Sequence, residues 1–120
     1  MNTSHRIESG KLIIENLSTG VLEWSGDFEG LPVFKVLPIN GTTDCLVLLD
    51  PGASKQPTFK NLLRVKNTGD IIWRAELPRS HDAYADVLVT NQGVEARSWQ
   101  GIRVLVSLVD GSVEEIGFSK

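Results

Sequence analysis

Residues 61–77 read NLLRVKNTGDIIWRAEL, and this stretch decides the fold class. Its first arm, Leu62 to Lys66, is apolar and partly β-branched. In the second arm Ile71, Trp73, Ala75 and Leu77 alternate with Ile72, Arg74 and Glu76, the two-residue period of a half-buried strand. Asn67-Thr68-Gly69 between them suits a type I turn completed by a left-handed glycine, a common hairpin connection. A Cβ is disfavoured at that positive φ, which is why glycine stands there. Pro78 has no N–H to donate and is expected to end the strand.

The same grammar recurs on both sides. Leu12–Leu17, Ser18-Thr19-Gly20 and Val21–Trp24 form one copy, and Val104–Leu108, Val109-Asp110-Gly111 and Val113–Ile116 form another. Gly20 and Gly69 are each followed four residues later by tryptophan, Trp24 and Trp73. Gly111 has Glu115 at that place, so the third copy is degenerate. The turn glycines lie 49 and 42 residues apart, close to the roughly 40–50 residues of one propeller blade. A further turn, Asn91-Gln92-Gly93, separates two more arms.

The remaining segments extend the pattern. Asp44–Asp50, DCLVLLD, is apolar on both faces and too short for a helix, so it reads as a central strand covered on both sides. Leu31–Leu37 is a short apolar segment bounded by Pro32 and Pro38, which suggests an edge strand or an irregular extension and not a central strand. Ala53–Lys60 is the longest loop and is expected to be mobile. Four closely spaced strands follow, Tyr84–Thr90, Val94–Trp99, Ile102–Leu108 and Val113–Phe118. Short connections imply an antiparallel meander, because a parallel return needs a long crossover. No segment combines helix caps with a 3.6-residue apolar period. Residues 1–10 are polar and are expected to form a flexible N-terminus ahead of a single all-β domain over residues 11–120.

At LLRVKNTGDIIW (62–73) and AYADVLVTNQGVEARSWQGIRVLV (83–106), the chain resembles the blades of quinoprotein-type β-propellers. The resemblance implies antiparallel meanders packed as blade-like four-stranded sheets. It also implies a closed ring of at least four blades, more than this chain supplies. The expected architecture is therefore all-β with blade-like sheets, completed between chains into a homo-oligomer, or alternatively a self-contained β-sandwich or barrel. Unpaired strand edges make self-association an expectation in either case.

Composition narrows function by exclusion. The chain has 120 residues, 12 basic and 15 acidic, for a net charge of −3. The charges are interspersed, whereas nucleic-acid binding requires clustered Lys or Arg. The lone Cys45 has no partner for an internal disulfide, and its apolar surroundings point to a buried inert thiol. MNTSHRIESGK lacks the apolar centre of a signal peptide, and no stretch approaches transmembrane length. A soluble, cytoplasmic protein without membrane association is expected.

Chemistry-bearing residues are sparse. Ser80-His81-Asp82 has the residue types of a hydrolytic triad, but adjacent positions in one loop do not produce triad geometry. His5, His81 and Cys45 lack zinc-ligand spacing. Asp82-Ala83-Tyr84-Ala85-Asp86 has alternating acids but not the glycine and terminal glutamate of an EF-hand loop. No catalytic residue, metal site or cofactor is assigned. The candidate surface for a small-molecule or protein partner combines Arg97 and Trp99 with Arg79, His81, Asp82 and Tyr84, since aromatic and arginine residues are enriched at binding hot spots. The default alternative has Trp99 packed against a neighbouring sheet, as is expected of Trp24 and Trp73. The function expected is a non-enzymatic binding or assembly module. The alternative is a ligand-binding protein or enzyme with its site formed between subunits.

Overall fold

The computed structural model describes residues 3–118, which are all strand and turn. Three antiparallel sheets follow one another along the chain. The first contains β1 (Thr3–Glu8), β2 (Lys11–Asn16) and β3 (Leu22–Gly26). The second contains β4 (Val33–Pro38), β5 (Cys45–Leu49), β6 (Leu62–Val65) and β7 (Ile71–Arg74). The third contains β8 (Tyr84–Thr90), β9 (Gly93–Ser98), β10 (Ile102–Val106) and β11 (Val113–Phe118). Each sheet pairs its strands in sequence order, as a meander. Among the described residues there is no closed barrel and no helix long and apolar enough to cross a membrane.

Three sequence expectations meet their structure directly. The proline-bounded strand β4 is an edge strand, and the doubly apolar β5 is central in its sheet. Every β5 side chain is at most 1% exposed. Cys45, Val47 and Leu49 join Leu12 and Ile14 in a core between the first and second sheets. Leu46 and Leu48 join Val87, Ala96 and Val104 in a core between the second and third. Burial of each such Val, Leu or Ile side chain contributes about 1.5–3 kcal/mol. Desolvation, with Asp44 adding to it, pushes the Cys45 thiol up to about 12.

The N-terminal expectation needs correction. Residues 1–10 were expected to lie outside the folded domain, yet Thr3–Glu8 form β1 and pair along their whole length with β2. Alternation explains the misreading: Arg6 turns outward to ion pairs with Glu8 and Glu15, while Ile7 packs inward. A strand with one polar face in a short polar segment carries little apolar signal. Met1 and Asn2 lie outside the described residues.

The glycine–tryptophan pattern is one contact shared between neighbouring sheets. Trp24 packs on the Gly69 turn of the second sheet, where an added Cβ would lie 2.2 Å from the indole ring. Trp73 packs on the Gly111 turn of the third sheet, with the corresponding distance 2.6 Å. Its Nε1–H donates to the Leu108 carbonyl at 2.8 Å. The third hairpin has Glu115 in place of tryptophan, and that carboxylate pairs with Arg79 at 2.6 Å. At the other end, nothing lies within 4 Å of a Cβ built on Gly20.

A buried amide links the second and third sheets. Asn61 is 0% exposed. Its Nδ2 donates to the carbonyls of Leu49 and Tyr84 at 2.9 and 2.8 Å, and its Oδ1 accepts the Tyr84 N–H at 2.7 Å. One side chain thus satisfies backbone groups at the end of β5 and the start of β8.

Two stability predictions follow from these contacts. Gly20→Ala, Gly69→Ala and Gly111→Ala all place a Cβ at positive φ, costing about 1–2 kcal/mol. Only the latter two also collide with an indole, which adds about 1–3 kcal/mol. Urea denaturation should rank Gly20→Ala mildest, and equal losses at all three sites would refute the docking contact. Asn61→Ala strands three buried backbone groups at about 1–3 kcal/mol each. It should cost about 3 kcal/mol or more and speed hydrogen exchange at the Tyr84 amide, and wild-type stability would remove Asn61 from this role.

Candidate functional site

The best-formed concavity lies where the loop after β5 meets the connection between β7 and β8. Beyond Leu49 the chain turns at Asp50, whose Oδ1 accepts the Gly52 N–H at 2.9 Å. The loop returns through Phe59, a buried aromatic in an otherwise polar segment. The Phe59 N–H donates to the Asp82 carbonyl at 2.9 Å, and Phe59 and Ala83 form an isolated parallel bridge. Thr58 Oγ1 accepts the His81 N–H at 2.9 Å. The segment expected from sequence to be a mobile loop is therefore pinned near its end to the neighbouring sheet.

The opposing connection is held equally closely. His81 has φ of 57°, a left-handed conformation uncommon for a residue with a side chain. Gln100 Nε2 donates to the Ser80 and His81 carbonyls at 3.3 and 3.0 Å. The Trp99 N–H donates to the Ala83 carbonyl at 2.8 Å. These bonds fix the backbone around a cleft of about 340 Å³ whose walls include Pro51, Gln56, Phe59, His81, Asp82 and Trp99.

Asp82 is the unusual member of this set. It is 4% exposed. Its Oδ1 accepts the N–H groups of Ala83 and Gln100 at 2.9 and 3.3 Å. Its Oδ2 is buried and has no hydrogen-bond partner in the protein. A buried polar atom left so costs about 1–3 kcal/mol, more when charged. The other described side chain with unpaired buried atoms is His5, whose ring lies on the inward side of β1. Desolvation lowers the His5 pKa and favours the neutral imidazole.

Of the six residues singled out from sequence, His81, Asp82 and Trp99 come together here. Trp99 is 71% exposed, so the default expectation that it packs against a sheet is overturned. It stands in the turn after β9, where no neighbouring sheet covers it. The other three residues are elsewhere. Tyr84 is fully buried, its hydroxyl donates to the Glu76 carbonyl, and desolvation first, then Asp82 and Glu76, raise its pKa. Arg79 is paired with Glu115. Arg97 is exposed opposite Asp86 in the β8–β9 register. Asp86 is held below the usual carboxylate range chiefly by its bond from Lys35.

The sequence reading missed Phe59, Gln56 and Pro51 as walls of the site. The available signal was Phe59, a lone aromatic ring in a polar loop, which implies an anchor for that loop. The triad residue types do not assemble. Ser80 Oγ lies 3.3 Å from His81 Nδ1, while the Asp82 carboxylate is turned to backbone N–H groups. Among the described residues, no group of three His, Cys, Asp or Glu side chains is placed to hold a metal ion.

Comparison with solved structures places the fold beside computationally designed proteins. The crystal structure of the computationally designed Ika4 protein matches with a TM-score of 0.69 at 13% identity, covering 100% of this chain and 69% of that one. The computationally designed Ika8 protein matches with a TM-score of 0.63 at 13% identity, covering 100% of this chain and 36% of the other. At such identities the likeness is one of fold. Comparison with curated proteins finds no match. Residues 30–118 match the family described as Domain of unknown function (DUF7957), and the chain belongs to that family.

Proposed function

We propose that this domain is a non-enzymatic binding module whose site is the cleft between the second and third sheets. The observation that carries this reading is the exposed Trp99 indole on a largely apolar wall shared with Phe59 and Pro51. The volume of about 340 Å³ is at the small end of ligand sites, which span roughly 300–1,000 Å³. Trp99 supplies exposed aromatic surface, Phe59 and Pro51 supply apolar contact, and Asp82 supplies polarity. Binding is favoured over hydrolysis because Asp82 is committed to the Ala83 and Gln100 amides instead of orienting His81. A buried reduced thiol at Cys45 accords with a cytoplasmic location.

An NMR screen of small neutral, cationic and anionic fragments against the full chain tests this reading. Binding fragments should shift the Gly52, Gln56 and Ala83 amides and the Trp99 indole N–H together. Trp99→Ala should weaken them while changing stability by no more than about 0.5 kcal/mol, as for other exposed substitutions. Hits scattered over the surface, or none, would discard the cleft as the site.

A second observation favours assembly as an additional role. Gly20 holds in the first sheet the place that Gly69 and Gly111 hold in the others, but it receives no indole. Leu17, Val21 and Leu22 beside it are exposed. Self-association through this hairpin covers those side chains and extends the propeller-like stacking. Light scattering across a concentration series should detect an oligomer that Leu17→Asp and Val21→Asp dissociate. A monomer at all concentrations would end the assembly reading and leave the cleft reading untouched.

A further inference from the structure

We infer that the free edge of β1 accepts an added strand: an extended segment of a partner polypeptide, carrying a Val-Leu pair and lying antiparallel to Thr3–Glu8. The chain's own repetition carries the inference. In all three sheets the last two strands flank an equivalent turn. The carbonyls of Asn16, Lys66 and Ser107 each accept the N–H of the turn glycine, and their N–H groups each donate to the carbonyl of the residue after it. Those turns align β2 with β6 and β10, and therefore β1 with β5 and β9. The other edge of β5 carries β4, and that of β9 carries β8, both antiparallel. Among the described residues no strand occupies that place on β1. No backbone hydrogen bond outside the β1–β2 pairing involves residues 3–8 there.

This edge also differs from the other described edges. A strand edge presents unpaired N–H and C=O groups to any other chain, and bulges are one way of blunting it. The other edge strands are β3, β4, β7, β8 and β11, and each has a register shift against its neighbour. β1 pairs with β2 at all six residues with no shift, and it contains no proline. Its inward residues are also less covered. Val94, Ala96 and Ser98 on the equivalent β9 are buried, whereas His5 and Ile7 are half-buried. A strand laid beside them removes further area from water.

The same repetition describes the occupant. β4 and β8 are bulged at Phe34 and Ala85, and two residues later both carry the same pair, Val36-Leu37 and Val87-Leu88. Val87 is buried in the core between the second and third sheets, and Val36 and Leu37 pack against the two cores. An extended segment with that pair fits the vacant place on β1. Main-chain bonds then supply affinity and alternate side chains supply specificity, as in strand addition generally. A second copy offers, besides β1 itself, edges already interrupted by a shift, which favours a single free strand.

The test is an NMR titration of the full chain with the peptide DAYADVLVT, the sequence of residues 82–90. Saturable shifts should fall on residues 3–8, and the β1 amides that exchange fast in the free chain should become protected. Those amides should alternate along β1, since successive N–H groups of a strand face opposite edges. A matched peptide N-methylated at Val87 and Leu88 keeps every side chain and loses one donor on each edge. It should bind at least about tenfold more weakly. A peptide with Val87→Ser and Leu88→Ser should also bind more weakly. Equal binding of either modified peptide, or no saturable shifts on β1, overturns the assignment. Protection of β1 that grows with protein concentration in the absence of peptide makes a second copy the occupant and overturns the partner assignment. No β1 residue lines the cleft, so each of these outcomes leaves the cleft reading to its own test.

Discussion

A strand with no solvent-facing side imposes the architecture. Cys45, Leu46, Val47, Leu48 and Leu49 alternate between two cores, so the second sheet requires a neighbour on each face. The first sheet supplies one and the third supplies the other. Arg6 with Glu8 and Glu15 marks the outside of the first sheet, and Arg103 with Glu95 marks that of the third. These exposed pairs contribute little stability individually. They place charge on outer sheets that also expose Leu17, Val21 and Leu22 in the first and Leu88 and Val89 in the third.

Hydrophobic burial alone does not fix how sheets slide over one another. The indole contacts restrict that freedom. Trp24 occupies the space left by the missing Cβ of Gly69, and Trp73 does the same at Gly111. A shift of either sheet drives the ring into turn backbone or withdraws it to solvent. Polar ties act in parallel between the second and third sheets. Lys35 reaches Asp86 and the Val87 carbonyl, Arg64 reaches Asp44 and the Leu108 carbonyl, and Asn61 joins Leu49 to Tyr84. Each tie includes a backbone group beyond β7, the Val87, Leu108 or Tyr84 carbonyl, and Lys35 adds an ion pair with the Asp86 side chain.

This division of labour accounts for what was legible in the sequence. Local features were readable: alternation in the Ile71–Leu77 arm, the turn at Gly69, the prolines around β4, and the continuous apolar run of β5. The glycine–tryptophan spacing was also visible, but its meaning was not. Sequence spacing pairs Gly69 with Trp73 in the same hairpin, whereas packing pairs Gly69 with Trp24 from 45 residues earlier. The same distinction applies at the site. Asp82 and His81 stood out as residue types, and Trp99 as an aromatic, yet Phe59 belongs to a loop whose polar composition gave no sign of its partner. Tyr84 was placed on the candidate surface because aromatic residues are enriched at binding sites; its hydroxyl is instead satisfied inside by the Glu76 carbonyl. Long-range satisfaction of that kind leaves no periodic mark.

The location of the cleft follows from the way the ties are distributed. Stacked sheets exclude water along their faces, but loops that leave the sheet ends diverge. Here the β5–β6 loop and the β7–β8 connection are brought back together by Phe59–Asp82 and Thr58–His81 hydrogen bonds. That closure holds His81 at a positive φ and draws Asp82 beneath the surface. Its Oδ1 ties the start of β8 to the turn after β9 through the Ala83 and Gln100 N–H groups. Burial of Asp82 is costly unless its second oxygen is satisfied, while the neighbouring indole remains in solvent despite its large apolar area. Both departures from ordinary folding economy, a buried carboxylate and an exposed indole, border one concavity.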